Sequence, residues 1–337
     1  MPSIRMATAY RSLYCPRRAV ERQKRGNISM KDKLHRLRLF LRKCYMRYLN
    51  PIIRCPYVLI LPAVVLCVTF SIIPTFMSVR NSFFKVDYVM GVDTFVGLSN
   101  YRSIFNDSNF LLVFRNTVIF TAVTVVFAIP LAVLIAVFLN KNRAIYNFTQ
   151  SVVFTPHIIS FVSIATLWMF LMDPQFGILN EVLGLFGIEP LMWMLSEETS
   201  LMSIIIVSVW KSLGYNVLIV MSGLQSIPTS LYEAAKLDKS KKINTFFKVT
   251  IPMLSPTFVF LVMTTIISTF STYDLIKLMT QGGPRNSSNL LVYWIYETGY
   301  LHFNVGKAMA GGVMLLLFVG IISVANFTAM NKRAHYQ

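Results

Sequence analysis

The chain has no G-x-x-x-x-G-K-[ST] phosphate loop, so it does not hydrolyse ATP by itself. Histidine is scarce, and His35, His157, His302 and His335 are scattered rather than placed with carboxylates or cysteines at metal-ligand spacing. The four cysteines, Cys15, Cys44, Cys55 and Cys67, lie in the N-terminal tail and the first apolar segment, which indicates neither a disulfide framework nor a zinc site. Neither H-E-x-x-H nor G-x-S-x-G occurs, so a membrane-embedded enzyme has no visible catalytic set. Charged residues make up only 14% of the 337 positions against 55% hydrophobic, too apolar for a soluble domain of this size. The composition is that of a polytopic membrane protein.

The formal charge of +18 does not indicate a nucleic-acid partner, because it is concentrated. Residues 1–55 hold 15 of the 32 Lys and Arg, opposed only by Glu21 and Asp32. Residues 1–29 show no hydrophobic period and read as disordered. Over 31–48, Leu34, Leu37, Leu41, Cys44 and Tyr48 recur at helical steps among basic residues, which predicts an amphipathic helix on an anionic lipid surface or a plain positive-inside anchor. No apolar core follows the first charges, so a cleavable signal is not expected, and Met30 is a candidate translation start.

Six apolar segments follow at about 56–79, 112–139, 150–172, 201–225, 256–279 and 306–330, within a transmembrane region covering 56–337. Each meets the roughly 20 residues that a helix needs to cross about 30 Å of hydrocarbon. An all-α fold of six membrane helices is therefore expected. The tail, the 140–149 and 226–256 loops and the C-terminal end together carry 24 of the 32 Lys and Arg. The 173–200 interval has none, but has Asp173, Glu181, Glu189, Glu197 and Glu198. By the positive-inside rule both termini and the 226–256 loop face the cytoplasm.

That loop is the one long polar interval of the C-terminal half. Ser230, with Glu233 three residues on, predicts a capping box and a short helix opening at Leu231. Ala234 and Ala235 permit close approach, and Leu231, Tyr232 and Leu237 offer apolar contacts, so the helix reads as a docking element or as an ordinary loop helix. Glu233-Ala234-Ala235, followed by Val249, Ile251 and Pro252, resembles the "EAA" loop of binding-protein-dependent ABC importer permeases. The Gln281-Gly282-Gly283-Pro284 turn and the 95–117 region, with Arg115-Asn116-Thr117, are similar to the carbohydrate-uptake branch, the maltose and glycerol-3-phosphate type. The resemblance implies a type I importer permease with a coupling helix, whose ATPase-coupling residues here are Leu231, Tyr232, Glu233, Ala234, Ala235, Leu237, Asp238 and Pro252. It further implies a second homologous permease, two cytoplasmic ATPases that use ATP and Mg, an external solute-binding protein and a bacterial cytoplasmic membrane. Residues 173–187 resemble that family's short outer-surface helix. One departure stands out: Lys239 occupies the position of a family Gly, where a left-handed turn costs a lysine roughly 1 kcal/mol or more.

Polar residues inside the spans mark a candidate substrate path. Lys211 is costly in hydrocarbon, at roughly 2.5–3.5 kcal/mol, and is expected to face protein or water, with Tyr215 and Asn216 nearby. Thr265, Ser268, Thr269, Thr272, Tyr273 and Asp274 complete the set, in a hydroxyl and aromatic pattern suited to sugars. These hydroxyls equally suit bonds to their own helix backbone. Pairing of Lys211 with Asp274, or with a charged substrate, is a further expectation. An ion-gradient transporter is the alternative, though it would need more buried acids than Asp274; a membrane enzyme or scaffold ranks below both.

Overall fold

The computed structural model describes His35, residues 38–40, 56–87, 92–141 and 144–331. The basic tail and the amphipathic helix expected over 31–48 lie outside the described residues, apart from His35 and 38–40. Two compact units divide inside the first apolar run, Met1–Ile72 and Ile73–Gln337. In the first, α1 (Pro56–Cys67) continues into a π-helical stretch, Val68–Ile72. Its sequence is apolar around the whole circumference, as suits lipid.

The second unit begins with α2 (Ile73–Asn81) and an antiparallel hairpin, β1 (Phe84–Asp87) with β2 (Val92–Phe95), in which Phe84 faces Phe95. Next come α3 (Ser99–Phe105), α4 (Ser108–Leu139), α5 (Ala144–Ile158), α6 (Phe161–Leu171), α7 (Ile178–Leu185) and α8 (Ser200–Ser226). The polar loop holds α9 (Thr229–Leu237), α10 (Lys242–Thr245), a π-helical Phe246–Thr250 and α11 (Ile251–Met253). The chain closes with α12 (Ser255–Thr269), α13 (Tyr273–Met279), α14 (Leu291–Tyr296) and α15 (Val305–Asn331).

Four runs among the described residues are long and apolar enough to cross a bilayer unbroken: Leu59–Asn81, Ser108–Leu139, Ser200–Ser226 and Val305–Thr328. The expected third span, 150–172, is two helices, α5 and α6, meeting at 100°. Pro156 in the last turn of α5 lacks an amide donor, and the Ser160 hydroxyl accepts the Ser163 N–H to start α6 afresh. The expected fifth span, 256–279, stops at Thr269 and resumes as α13. There the hydroxyls of Ser268, Thr269 and Thr272 donate to carbonyls three and four residues back, competing with the helix ladder.

The core lies along α4 and α8. Ile129, Ala132, Val133 and Ala136 of α4 meet Val217, Val220, Met221 and Leu224 of α8, with Leu254 and Leu261 of the α12 arm closing the group. In lipid such packing gains contact rather than water release, so Ala132 and Ala136 matter by letting backbones approach. A second cluster joins Phe110 and Val113 to Leu291, Trp294 and Ala310. Above it the 281–290 loop has left-handed residues at Gln281, Gly282, Arg285 and Asn286. Buried Asn116 holds this loop: its Nδ2 donates to the carbonyls of Asn286 (2.9 Å), Ser287 (3.0 Å) and Asn289 (3.3 Å). Thr117 Oγ1 accepts the Leu291 N–H at 2.8 Å.

Asp107 caps α4 by accepting the Asn109 N–H, and binds Lys307 of α15 at 2.7 Å. Burial pushes its carboxyl up, but the Lys307 ammonium and the amides of Asn109 and Phe110 outweigh this and hold it below the usual 3.8. A lowered carboxylate contributes stability that is complete above its ordinary value and is lost as pH falls through the lowered one. Asp107→Asn retains a cap acceptor but not the charge. In detergent, its unfolding midpoint should therefore fall less steeply than that of the unsubstituted protein below pH 3.8; matching acid limbs would refute the pairing.

Candidate functional site

One cavity of about 320 Å³ opens between the α5–α6 break, α8 and α12. Small-molecule sites typically span about 300–1,000 Å³. Of the expected path residues, Lys211, Tyr215, Asn216, Thr265, Ser268 and Thr272 line it. Three others do not. Thr269 is buried, with its hydroxyl on the Ile266 carbonyl and against Thr121 Oγ1 at 3.1 Å, where it joins α4 to α12. Tyr273 packs among other tyrosines, and Asp274 is exposed. The break in the fifth span turns α13 away from the α12 stripe, which is why its first two residues leave the cavity.

Lys211 does not pair with Asp274. Its Nζ donates to the carbonyls of Ile159 (2.8 Å), Pro156 (3.3 Å) and His157 (3.5 Å), and lies 4.4 Å from the Phe161 ring centre. The physical cause is the 100° break. A helix end leaves its last carbonyls without amide partners, and a cation there also complements the negative end of the helix dipole. Close approach makes the reach possible: Gly214 faces the α5 backbone, where a Cβ would meet the Val153 carbonyl oxygen at 2.5 Å. His157 stacks on Tyr215 at 5.2 Å.

The cavity's hydrogen-bonding capacity is uneven. Thr264, Ser268 and Thr272 donate their protons to their own helix, as the backbone-bonding alternative anticipates, and keep acceptor lone pairs. Asn216 Nδ2 and Thr265 Oγ1 are buried with no protein partner. A buried amide and hydroxyl left unsatisfied cost about 1–3 kcal/mol each. No carboxylate lines the cavity.

At the other end of α8, Pro228 precedes α9, which begins at Thr229 rather than Leu231. The capping box does not form: no side chain caps this end, and the Pro228 carbonyl accepts the Leu231 N–H instead. Leu231 and Tyr232, like Phe246, Ile251 and Met253, are half-buried against the apolar seam of α4 and α8, and the Tyr232 hydroxyl lies 3.2 Å from Thr250 Oγ1. They divide their surface between that core and the outside. Glu233, Ala234 and Leu237 form the exposed stripe, with Ala235 half-buried and Asp238 and Pro252 exposed. Lys239 takes the left-handed conformation at φ +50, so the turn a glycine would make is retained. The Ser240 N–H bonds the Ala235 carbonyl across it.

The pattern of the family described as "binding-protein-dependent transport system inner membrane component" matches residues 128–335, from the middle of α4 through the cavity and α9 to α15. The chain belongs to that family. This inner membrane component is similar to the sn-glycerol-3-phosphate transport system permease protein UgpA of Agrobacterium fabrum, at 31% identity over 284 residues, 83% of this chain and 96% of that protein. The UgpA protein of Pectobacterium atrosepticum is 31% identical over 285 residues, 84% of this chain and 96% of that one. Among solved structures it resembles a chain of a bacterial ABC transporter involved in the import of the acidic polysaccharide alginate. The TM-score is 0.73 at 20% identity, covering 88% of this chain and 99% of that one, which shows a shared fold.

Reading the family member by sequence misses His157, Phe161, Ser208 and Ser212, which also line the cavity. Ser208 lies three residues before Lys211 and four before Ser212, and that helical spacing made it findable. His157 and Phe161 come in only through the break. Lys211→Met leaves carbonyls at the break without their donor, and should lower stability by roughly 1–3 kcal/mol, read as a drop in unfolding midpoint; an unchanged midpoint would contradict the clamp. Lys239→Gly relieves the left-handed residue and should raise stability by roughly 1 kcal/mol. A lower midpoint in that variant would mean the lysine side chain contributes more than its backbone costs.

Proposed function

We propose that this inner membrane component is a permease subunit of an ATP-driven importer of sugars or oligosaccharides, and forms half of a translocation path. The observation that carries the reading is the cavity: acceptor hydroxyls from α12, a stacked Tyr215, and the uncommitted Asn216 Nδ2 and Thr265 Oγ1 all meet in one space. Saccharides present many hydroxyls of both donor and acceptor character, along with an apolar ring face. The cavity offers matching groups and no carboxylate for a coupling ion. The similar permeases are named for transport of glycerol-3-phosphate, a polyol phosphate that shares hydroxyls with sugars but has no ring.

The partners in this proposal are a second homologous permease, two cytoplasmic ATPases holding ATP and Mg, and an external solute-binding protein. Both termini and α9 face the cytoplasm. The exposed stripe of Glu233, Ala234 and Leu237 would seat in an ATPase, with Asp238 at its edge. α9 follows α8 directly and is tied through Tyr232 and Thr250 to the segment leading into α12. A push on α9 therefore acts on both helices that carry the cavity's polar groups. Closure of the ATPases on ATP would turn the path outward for loading, and hydrolysis would release the solute inward.

Ala234→Arg places a bulky cation on the exposed face without entering the core. In membranes containing all partners it should abolish ATP-dependent saccharide uptake and ATPase co-purification, while leaving the permease folded. Retained ATPases with normal uptake would sink the docking assignment; uptake that needs a proton gradient but no ATPase would sink the importer reading.

A further inference from the structure

A second polar site lies beside the first. Tyr273, Tyr293, Tyr296 and Tyr300, from α13, α14 and the π-helical Glu297–Leu301, form one continuous aromatic group. Tyr273 and Tyr296 meet edge to face at 5.0 Å, Tyr293 lies 5.9 Å from each, and Tyr300 stacks on Tyr296 at 5.4 Å. Lys277 Nζ sits 4.8 Å from the Tyr296 ring centre and 5.4 Å from that of Tyr273, and donates to the Tyr296 hydroxyl at 3.4 Å. A cavity of about 400 Å³ is lined by Lys277, Gln281, Tyr293 and Tyr296.

Burial is graded along the group. Tyr293 is 5% exposed, Tyr273 and Tyr296 are intermediate, and Tyr300 is 73% exposed, five residues before α15 begins. At the inner end, Tyr273 follows Thr272 in the chain; Thr272 lines the hydroxyl cavity and Tyr273 lies just outside it. A lysine at the centre of the hydrocarbon costs about 2.5–3.5 kcal/mol by insertion scales, whereas one near a helix end keeps its ammonium at the interface, so the exposed Lys277 sets this group at the level of water and headgroups. An exposed lysine among tyrosine hydroxyls marks a face that water reaches.

Tyrosine couples a flat apolar ring to a hydrogen-bonding hydroxyl. A pyranose has the matching form, with a C–H face and a rim of hydroxyls. We infer that Tyr300, Tyr296 and Tyr273, with Lys277 and Gln281, form a saccharide-binding relay that passes sugar rings from the outer surface to the Lys211–Thr265 cavity. The inference rests on the saccharide reading above. Acyclic polyols and their phosphates have no ring face and gain nothing from stacking, so the relay selects for ring-bearing solutes.

The test uses the complete transporter in lipid nanodiscs with Tyr300→Trp as a fluorescent reporter, its signal taken as the difference from the unsubstituted complex. The probes are a linear glucose trisaccharide, a uronic-acid trisaccharide and glycerol 3-phosphate. A saturable change with at least one trisaccharide and none with glycerol 3-phosphate is expected. Adding Tyr296→Leu should weaken half-saturation about three- to tenfold, whereas Tyr296→Phe, which keeps the ring, should not. No response to either trisaccharide, an equal response to glycerol 3-phosphate, or the same half-saturation with Leu as with Phe overturns the relay. A saccharide response in a complex that shows no ATP-dependent uptake would instead uphold the relay and remove only the importer reading.

Discussion

Hydrocarbon cannot hydrogen-bond to a peptide group, so each interruption of a membrane helix needs a donor or acceptor from within the protein. Three interruptions among the described residues show this: between α5 and α6, between α12 and α13, and along the 281–290 loop. Each interruption is met by side chains from a distant element or from the helix itself. Lys211 serves the first, the Ser268, Thr269 and Thr272 hydroxyls the second, and Asn116 with Thr117 the third. The unbroken helices α4 and α8 supply Asn116, Thr117 and Lys211, and their tight apolar seam is what keeps these in position.

That arrangement explains why the polar interior stays local. Ala132 and Ala136 let α4 and α8 close along their apolar seam, and the hydroxyl cavity opens beside the broken segments, which cannot pack as closely. The same helix, α8, ends two residues before α9 starts, and α12 begins just after the π-helical turn that Tyr232 contacts. A displacement at the polar loop therefore has a short route to α8, while its route to α12 passes the left-handed Lys239 and a 65° bend between Lys242–Met253 and Ser255–Thr269.

Much of this was legible in the sequence, because it depends on run length and local spacing. The spans follow from uninterrupted apolar stretches, and the polar loop from Glu233-Ala234-Ala235 and the residues around Pro252. Lys211, Asn216 and Thr265 stood out as polar groups in apolar surroundings. The breaks did not, since 150–172 and 256–279 remain hydrophobic through Ser160 and Thr272. Without the breaks, Lys211 has no carbonyls to serve and pairing with Asp274 looks natural. Leu231 and Tyr232 pack against a core drawn from α4, α8 and α12, and Asn116 meets a carbonyl 170 residues away. Contacts of that range leave no periodic trace.

The two donors that repair the largest interruptions differ in kind. Asn116 is a planar amide on a short stem, fixed against three carbonyls of one loop, and any rotation of that loop would strand them. Lys211 carries three protons on four rotatable carbons, and can exchange one carbonyl for the next as the angle between α5 and α6 changes. Asn116 is thus a tie to one arrangement of its loop, and Lys211 a tie that tolerates a change of partner.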